Sequence, residues 1–107
     1  MKISVRTRDV NLNEEFHRRV QRKVESAVDR LKERIDRIAV LLSDVNGPRG
    51  GVDKICHMTA DVRGLGTILI TATGSDLFEA VANAADRLGY RIHTNVERRR
   101  DTLRATG

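Results

Sequence analysis

Apolar and polar positions follow two different periods along this chain. Alternation, or a run of β-branched and aliphatic residues, predicts β-strands over residues 2–8, 38–45, 53–62 and 67–73. Elsewhere apolar residues recur every three or four positions, which is typical of an amphipathic helix. This spacing predicts one long helix over residues 13–36, capped by Asn11 or Asn13, and a second helix that begins after Ser75 and Asp76.

The predicted element order β-α-β-β-β-α indicates an α+β fold with two layers. The crossover through the first helix should be right-handed and make the first strand parallel to a neighbour, whereas the later strands join as antiparallel hairpins. Alternating strand faces predict a four-stranded mixed sheet with both helices on one face and solvent on the other. Gly and Pro mark a loop at residues 46–51 and a turn at residues 63–66. We expect one domain over residues 1–101 and a disordered tail over residues 102–107.

Composition narrows the class of protein. The chain has 107 residues, of which 39% are hydrophobic and 33% charged, as in a well-solvated globule. Its longest apolar run, residues 38–42, is too short to span a membrane, and the N-terminus lacks a signal-peptide core. The single cysteine, Cys56, excludes an internal disulfide and fits a reducing compartment, so we expect a cytoplasmic protein. Three aromatic residues are too few for a platform that stacks successive bases.

Basic residues are concentrated in the second predicted helix. Residues 87–104 hold six arginines and only two acidic residues, and so carry +4 of the formal net charge of +5. The six arginines are Arg87, Arg91, Arg98, Arg99, Arg100 and Arg104. Guanidinium groups stay charged and match phosphate geometry, so this cluster indicates a protein that binds a polyanion.

Like charges are also grouped around each predicted helix. At about 100° per residue, one flank of the first helix carries five basic residues and one flank of the second carries three. These are Arg19, Lys23, Arg30, Arg34 and Arg37, and then Arg87, Arg91 and Arg98. The alternative is an ordinary solvated surface, helped near Arg98–Arg100 by the dipole at a helix C-terminus. Grouping on two helices favours a partner, because like charges otherwise repel one another.

Enzyme chemistry finds little support in the residue pattern. The three histidines lack metal-ligand spacing, and Cys56 and His57 are adjacent on a strand and so point to opposite faces. The glycine-rich residues 47–54 fail the spacing of a phosphate-binding loop. We therefore expect no catalytic residues, metal, cofactor or small-molecule substrate. A small hydrolase or thiol enzyme that uses Cys56 and His57 stays as the alternative from another class.

Several motifs together resemble one family. The opening residues 1–5, Asp36-Arg37-Ile38 before the second strand, and the helix start at residues 74–81 with Ala85–Leu88 are similar to the ribosome hibernation-promoting factors, which include protein Y. The resemblance covers about residues 1–100. It implies a four-stranded sheet with two helices on one face, similar to a double-stranded-RNA-binding domain with an extra first strand.

The resemblance also implies a function and a site. Family members bind the small (30S) ribosomal subunit near the decoding centre, where they block the mRNA channel and the tRNA sites of idle ribosomes. Basic residues on both helices contact 16S ribosomal RNA. The residues expected to bind RNA here are Arg19, Lys23, Arg30, Arg87, Arg91, Arg98 and Arg99, of which Lys23 and Arg87 match family positions most directly.

The chain departs from the family pattern at two places. Tyr90 and residues 94–96 stand where the family often has basic residues, and the arginines come a turn later. Because the sequence ends at Gly107, the resemblance implies the short type without a C-terminal dimerisation domain, and we expect a monomer. The runner-up function is a general binder of structured or double-stranded RNA outside the ribosome.

Overall fold

The computed structural model describes residues 1–8, 12–44 and 54–106, with side chains described as far as Arg100. Within these residues it contains four strands, two α-helices and one 3-10 helix. These are β1 (Lys2–Arg8), α1 (Glu14–Ala27), the 3-10 helix (Asp29–Arg34), β2 (Ile35–Asp44), β3 (Lys54–Val62), β4 (Gly66–Gly74) and α2 (Leu77–Thr106).

The four strands form one mixed sheet in the order β1-β2-β3-β4. Strand β1 pairs with β2 in parallel, and the pairs β2–β3 and β3–β4 are antiparallel. The register places Val40 beside Met58 and Met58 beside Ile70, so apolar side chains form continuous rows on one face. The predicted α+β fold with a four-stranded mixed sheet is confirmed.

The core lies between one face of the sheet and the two helices. Val40, Met58 and Ile70 of the sheet are buried together with Val24 of α1 and Leu88 of α2. Residues at the intervening strand positions, such as those at 6, 8, 69 and 71, are exposed. The sequence therefore buries one face of the sheet and leaves the other to solvent, as its alternation predicts.

The first helix is shorter than its apolar spacing predicts. Asn13 caps it as expected, since the Phe16 N–H donates to Asn13 Oδ1 at 2.8 Å, but α1 ends at Ala27 rather than at residue 36. A parallel crossover must return along β1, whose seven residues measure about 23 Å, and the fourteen residues of α1 already span about 21 Å. A helix that continued to residue 36 would overshoot, so Ile35 instead opens β2.

The two α-helices pack closely at Gly89. A Cβ at this position would lie 2.5 Å from the backbone oxygen of Ala27, closer than any real contact. Glycine therefore lets the end of α1 approach the middle of α2. This approach fixes the α1 side chains that face α2, and so positions part of the predicted basic surface.

Two predicted features concern the connections and the end of the chain. The turn between β3 and β4 is confirmed: the Leu65 N–H donates to the Val62 oxygen at 3.1 Å, and Gly64 and Gly66 have φ of 83° and 80°. The predicted loop at residues 46–51 lies outside the described residues. Helix α2 is assigned through Thr106, and its side chains beyond Arg100 lie outside the described part. The domain bounds 1–101 and the disordered tail over 102–107 stay predictions.

Candidate nucleic-acid interface

The start of α2 is held by a set of side-chain hydrogen bonds. The Glu79 N–H donates to Asp76 Oδ1 at 2.7 Å, and the Ser75 hydroxyl donates to Glu79 Oε2 at 2.8 Å. The first contact satisfies an N–H group that the first turn of a helix leaves without a partner, and the second holds the Glu79 side chain over the cap. They confirm the predicted cap and fix which residues of α2 face the sheet.

Three arginines of the predicted site share one exposed flank of α2. Arg87, Arg91 and Arg98 line a groove of about 820 Å³ between this flank and strand β4, which is the edge of the sheet. We call it the α2–β4 groove; its lining residues are Leu69, Ile70, Thr71, Asp86, Arg87, Tyr90, Arg91, Thr94, Asn95 and Arg98. Arg87 reaches across it and donates to the Thr71 oxygen at 3.4 Å. The grouping that the helical projection predicts is present in three dimensions.

Two basic residues of α1, Arg19 and Lys23, already contact side chains of α2. Lys23 Nζ lies 3.0 Å from Asp86 Oδ1, with the lysine side chain 28% exposed and the aspartate 65% exposed. The guanidinium of Arg19 lies 4.3 Å from the centre of the Phe78 ring, in cation–π geometry. Asp86 thus places a negative charge between the two helices, beside the predicted basic residues.

Arg30 and Arg99 lie away from the groove. Arg30 belongs to the 3-10 helix, not to α1, and lines a separate cleft with Gly89 and His93. Arg99 donates to the backbone oxygen of Gly64, so it holds the β3–β4 turn against the end of α2. The projection also grouped Arg34 and Arg37 with α1, and this was wrong, because they belong to the 3-10 helix and to β2.

The groove contains residues that sequence reasoning did not assign to the site. Tyr90, Thr94 and Asn95 line it beside the arginines. These are the positions at which the chain departs from the basic pattern of the family, and that departure is the signal in the sequence that points to them. The groove consequently offers an aromatic ring and neutral hydrogen-bonding groups as well as positive charge.

Replacing Asp86 by Asn should strengthen binding to polyanions with little effect on stability. The Lys23–Asp86 pair is partly exposed, so its loss should change the free energy of unfolding by no more than about 1 kcal/mol. Lys23 then becomes available to a phosphate, which should steepen the dependence of log K on log salt by about one unit. Titration of fluorescent RNA at several salt concentrations measures both effects.

The matched control is Asp36→Asn, which removes the partner of Arg63 at 3.9 Å in another cross-element pair. Both variants gain one unit of positive charge, but Asp36 does not line the α2–β4 groove. Equal gains in affinity from the two variants would show that only net charge matters and would contradict a role for the groove.

The thiol and imidazole considered for catalysis are separated. Cys56 is fully buried in the core, and burial raises the pKa of its thiol to about 12. His57 lies on the other face of β3, where its Nδ1 shares a hydrogen bond of 3.0 Å with Thr71 Oγ1. Within residues 1–8, 12–44 and 54–100, no three His, Cys, Asp or Glu side chains are grouped to hold a metal ion.

In the described part of the chain, neither long helix combines the length and apolar content that crossing a bilayer requires.

Comparisons with known proteins place this fold. A family model described as Sigma 54 modulation protein / S30EA ribosomal protein matches residues 3–100. A solved structure described as a ribosomal subunit interface protein from Coxiella burnetii is 16% identical, covers 91% of this chain and 99% of its own, and has a TM-score of 0.77. The Protein Y N-terminal domain from Thermus thermophilus is 22% identical, covers 86% and 96%, and has a TM-score of 0.69. A search of curated proteins finds no significant match.

The protein is a small two-layer α+β domain with two helices on one face of a mixed sheet, and one flank of its second helix is cationic. Because the family model spans nearly the whole chain, the chain belongs to the Sigma 54 modulation protein / S30EA ribosomal protein family, that of the ribosome hibernation-promoting factors. The two solved structures, at these identities, support the fold. Family membership indicates a ribosome-associated factor, and this context supports a role other than catalysis.

Proposed function

We propose that this protein binds the small ribosomal subunit at the decoding region and inhibits translation by blocking the mRNA channel and the tRNA sites. It acts in the cytoplasm, as a monomer, on ribosomes that stress or stationary phase leaves idle. The observation that carries the proposal is the shared flank of Arg87, Arg91 and Arg98 beside an open groove. Such a flank can hold several phosphates of a folded RNA at once.

Binding through phosphates gives affinity without reading base sequence. Arg87, Arg91 and Arg98 on α2, with Arg19 at the neighbouring helix, supply four cations to 16S ribosomal RNA. Lys23 adds a fifth when Asp86 releases it, whereas Arg30 and Arg99 contribute at the margins. The shape of the subunit and its proteins then supplies specificity for one position on the ribosome.

The test is sedimentation of purified small subunits with the protein through sucrose gradients. We expect cosedimentation that weakens as salt rises, with a slope of log K against log salt near −3 for four phosphate contacts. A free RNA duplex serves as the comparison. Equal affinity for the duplex and for the subunit would instead favour a general binder of structured RNA.

Occlusion makes a further prediction, which is competition with mRNA. Preloading small subunits with mRNA and tRNA should lower the amount of cosedimenting protein at least about tenfold, and excess protein should displace mRNA equally, because linkage between two binding sites is reciprocal. Simultaneous binding of all three, measured by gradient fractionation with labelled mRNA, would contradict a site in the channel.

A further inference from the structure

Tyr90 presents an exposed aromatic ring to the α2–β4 groove. The residue is 74% exposed, which is more than Leu69 at 58% or Met1 at 44%, the other exposed large hydrophobic residues among those that the structure describes. The hydroxyl has no hydrogen-bond partner among the side chains and backbone groups that the structure describes. Neither packing nor a polar contact with the described residues therefore explains the exposed ring.

The position of Tyr90 relative to the arginines is set by the helix. Arg87 lies three residues before it and Thr94 four residues after it, so all three are neighbours on the same surface of α2. Arg91 follows directly, and all four residues line the α2–β4 groove. The ring thus lines the same groove as two guanidinium groups that can each hold a phosphate.

This combination matches the chemistry of an unpaired nucleotide. Every base has a π-face that stacks on an aromatic side chain, and the adjoining phosphates require cations on either side. A paired base inside a duplex cannot reach the ring, because both of its faces are already stacked. The charge around Tyr90 favours RNA over an apolar protein segment, which would gain nothing from Arg87 and Arg91.

We propose that Tyr90 stacks on one unpaired base of the bound RNA while Arg87 and Arg91 hold the phosphates beside it. The identification of that RNA with ribosomal RNA rests on the proposed function, but the stacking does not. One ring binds one base, so the contact anchors a single nucleotide and selects single-stranded or bulged RNA. The contact requires a base, whereas the rest of the surface responds only to the charge of the phosphates.

The chain offers a clean optical probe, because Tyr90 is its only tyrosine and it has no tryptophan. The ligand is a short unstructured oligoribonucleotide, and its binding is compared with that of an abasic oligonucleotide of the same length and charge. The Tyr90→Trp variant shifts excitation away from RNA absorbance. We expect its fluorescence to be quenched by the oligoribonucleotide and to change little with the abasic strand.

Binding of the oligoribonucleotide should weaken roughly 5- to 100-fold in Tyr90→Ala, whereas Tyr90→Phe should keep wild-type affinity. The salt slope should stay the same in both variants, because no charge is lost. Arg91→Ala is the matched control. It should lower the salt slope by about one unit, and it should weaken binding of the oligoribonucleotide and of the abasic strand by the same factor. Thermal unfolding of each variant checks that the fold is retained.

Equal affinity of Tyr90→Ala and wild type for the oligoribonucleotide, or equal quenching by the abasic strand, would overturn the stacking contact. The stacking contact would also be overturned if Tyr90→Ala lost binding to a ribosomal protein while its binding to RNA stayed unchanged. If the wild-type protein stacks on the oligoribonucleotide but does not cosediment with ribosomes, the proposed function fails and the stacking stands. If it cosediments and Tyr90→Ala does so equally, only the stacking fails.

Discussion

Replacing Arg87 and Arg91 together by glutamate will remove most binding to the small ribosomal subunit. Both side chains are exposed and line the α2–β4 groove, so the change acts on the surface and not on the core. Two charge-assisted contacts to phosphate are lost and two repulsions replace them, which should weaken binding about 100-fold or more. The salt slope should fall by about two units, because two counterion-releasing contacts disappear.

The fold should tolerate this double substitution. The hydrogen bond from Arg87 to the Thr71 oxygen is long, at 3.4 Å, and its loss leaves an edge-strand carbonyl exposed to water. Glutamate also has a high helix propensity, as arginine has. Circular dichroism and thermal unfolding should therefore match those of the wild type, and sedimentation with small subunits measures the loss.

The matched control is Arg6→Glu with Arg8→Glu on strand β1. These arginines are exposed on the open face of the sheet, opposite the helices, and their reversal changes the net charge by the same four units, from +5 to +1. If binding depends on the helix flank, the control should keep most of its affinity. Equal losses from the two double variants would show that total charge governs binding, and full cosedimentation of Arg87→Glu/Arg91→Glu would refute the site.

Much of the fold could be predicted because local periodicity and the tertiary structure agree. The strands alternate in two-residue steps and bury one face, so Met58 and Ile70 fall in the core as their positions indicate. The end of α1 could not be predicted in the same way. Val28, just before the 3-10 helix, and Leu31 within it keep a three-residue spacing that looks helical in sequence. The length of β1 instead decides where the crossover must end.

The same distinction separates the residues of the candidate site that could be predicted from those that could not. Arg87, Arg91 and Arg98 could be grouped from sequence because their positions on one helix fix their common flank. Lys23 and Arg99 could not be judged, because their partners, Asp86 and the Gly64 oxygen, come from other elements of the fold. Tertiary contacts between elements are the information that helical projection lacks.

Tyr90 shows why composition alone is a weak guide to recognition. Three aromatic residues are too few for a platform that stacks several bases. A count does not reveal that one ring lies 74% exposed in a groove that arginines also line. The useful quantity is the position of each ring relative to charge, which requires the packed helix and the strand beside it.

The thiol of Cys56 will resist alkylation in the native protein, which separates a binding module from a thiol enzyme. Burial raises the pKa of Cys56 from the ordinary 9.0 to about 12, so the reactive thiolate at neutral pH is about 1,000-fold rarer than in the unfolded chain. Its side chain is also fully enclosed by the core. We expect iodoacetamide to react at least about 1,000-fold more slowly in buffer than in denaturant.

The same pKa shift predicts a loss of stability at high pH. Because the folded pKa lies above the unfolded one, the contribution of Cys56 is fully present below about pH 9 and declines as pH rises toward 12. Unfolding by denaturant at a series of pH values should show this decline in the wild type. Cys56→Ala should lack that component while it loses about 1 to 2 kcal/mol at neutral pH through the smaller side chain.

A variant with an exposed thiol serves as the positive control for the alkylation test. Cys56→Ala/Thr73→Cys moves the only thiol to an exposed position of β4, where it should react as fast as in denaturant. Cys56→Ala alone should still cosediment with small subunits, because Cys56 lies in the core and does not line the groove. Rapid native alkylation of Cys56, or loss of activity in a Cys56→Ala protein that remains folded, would instead support a thiol nucleophile and end the interpretation of this domain as a purely binding factor.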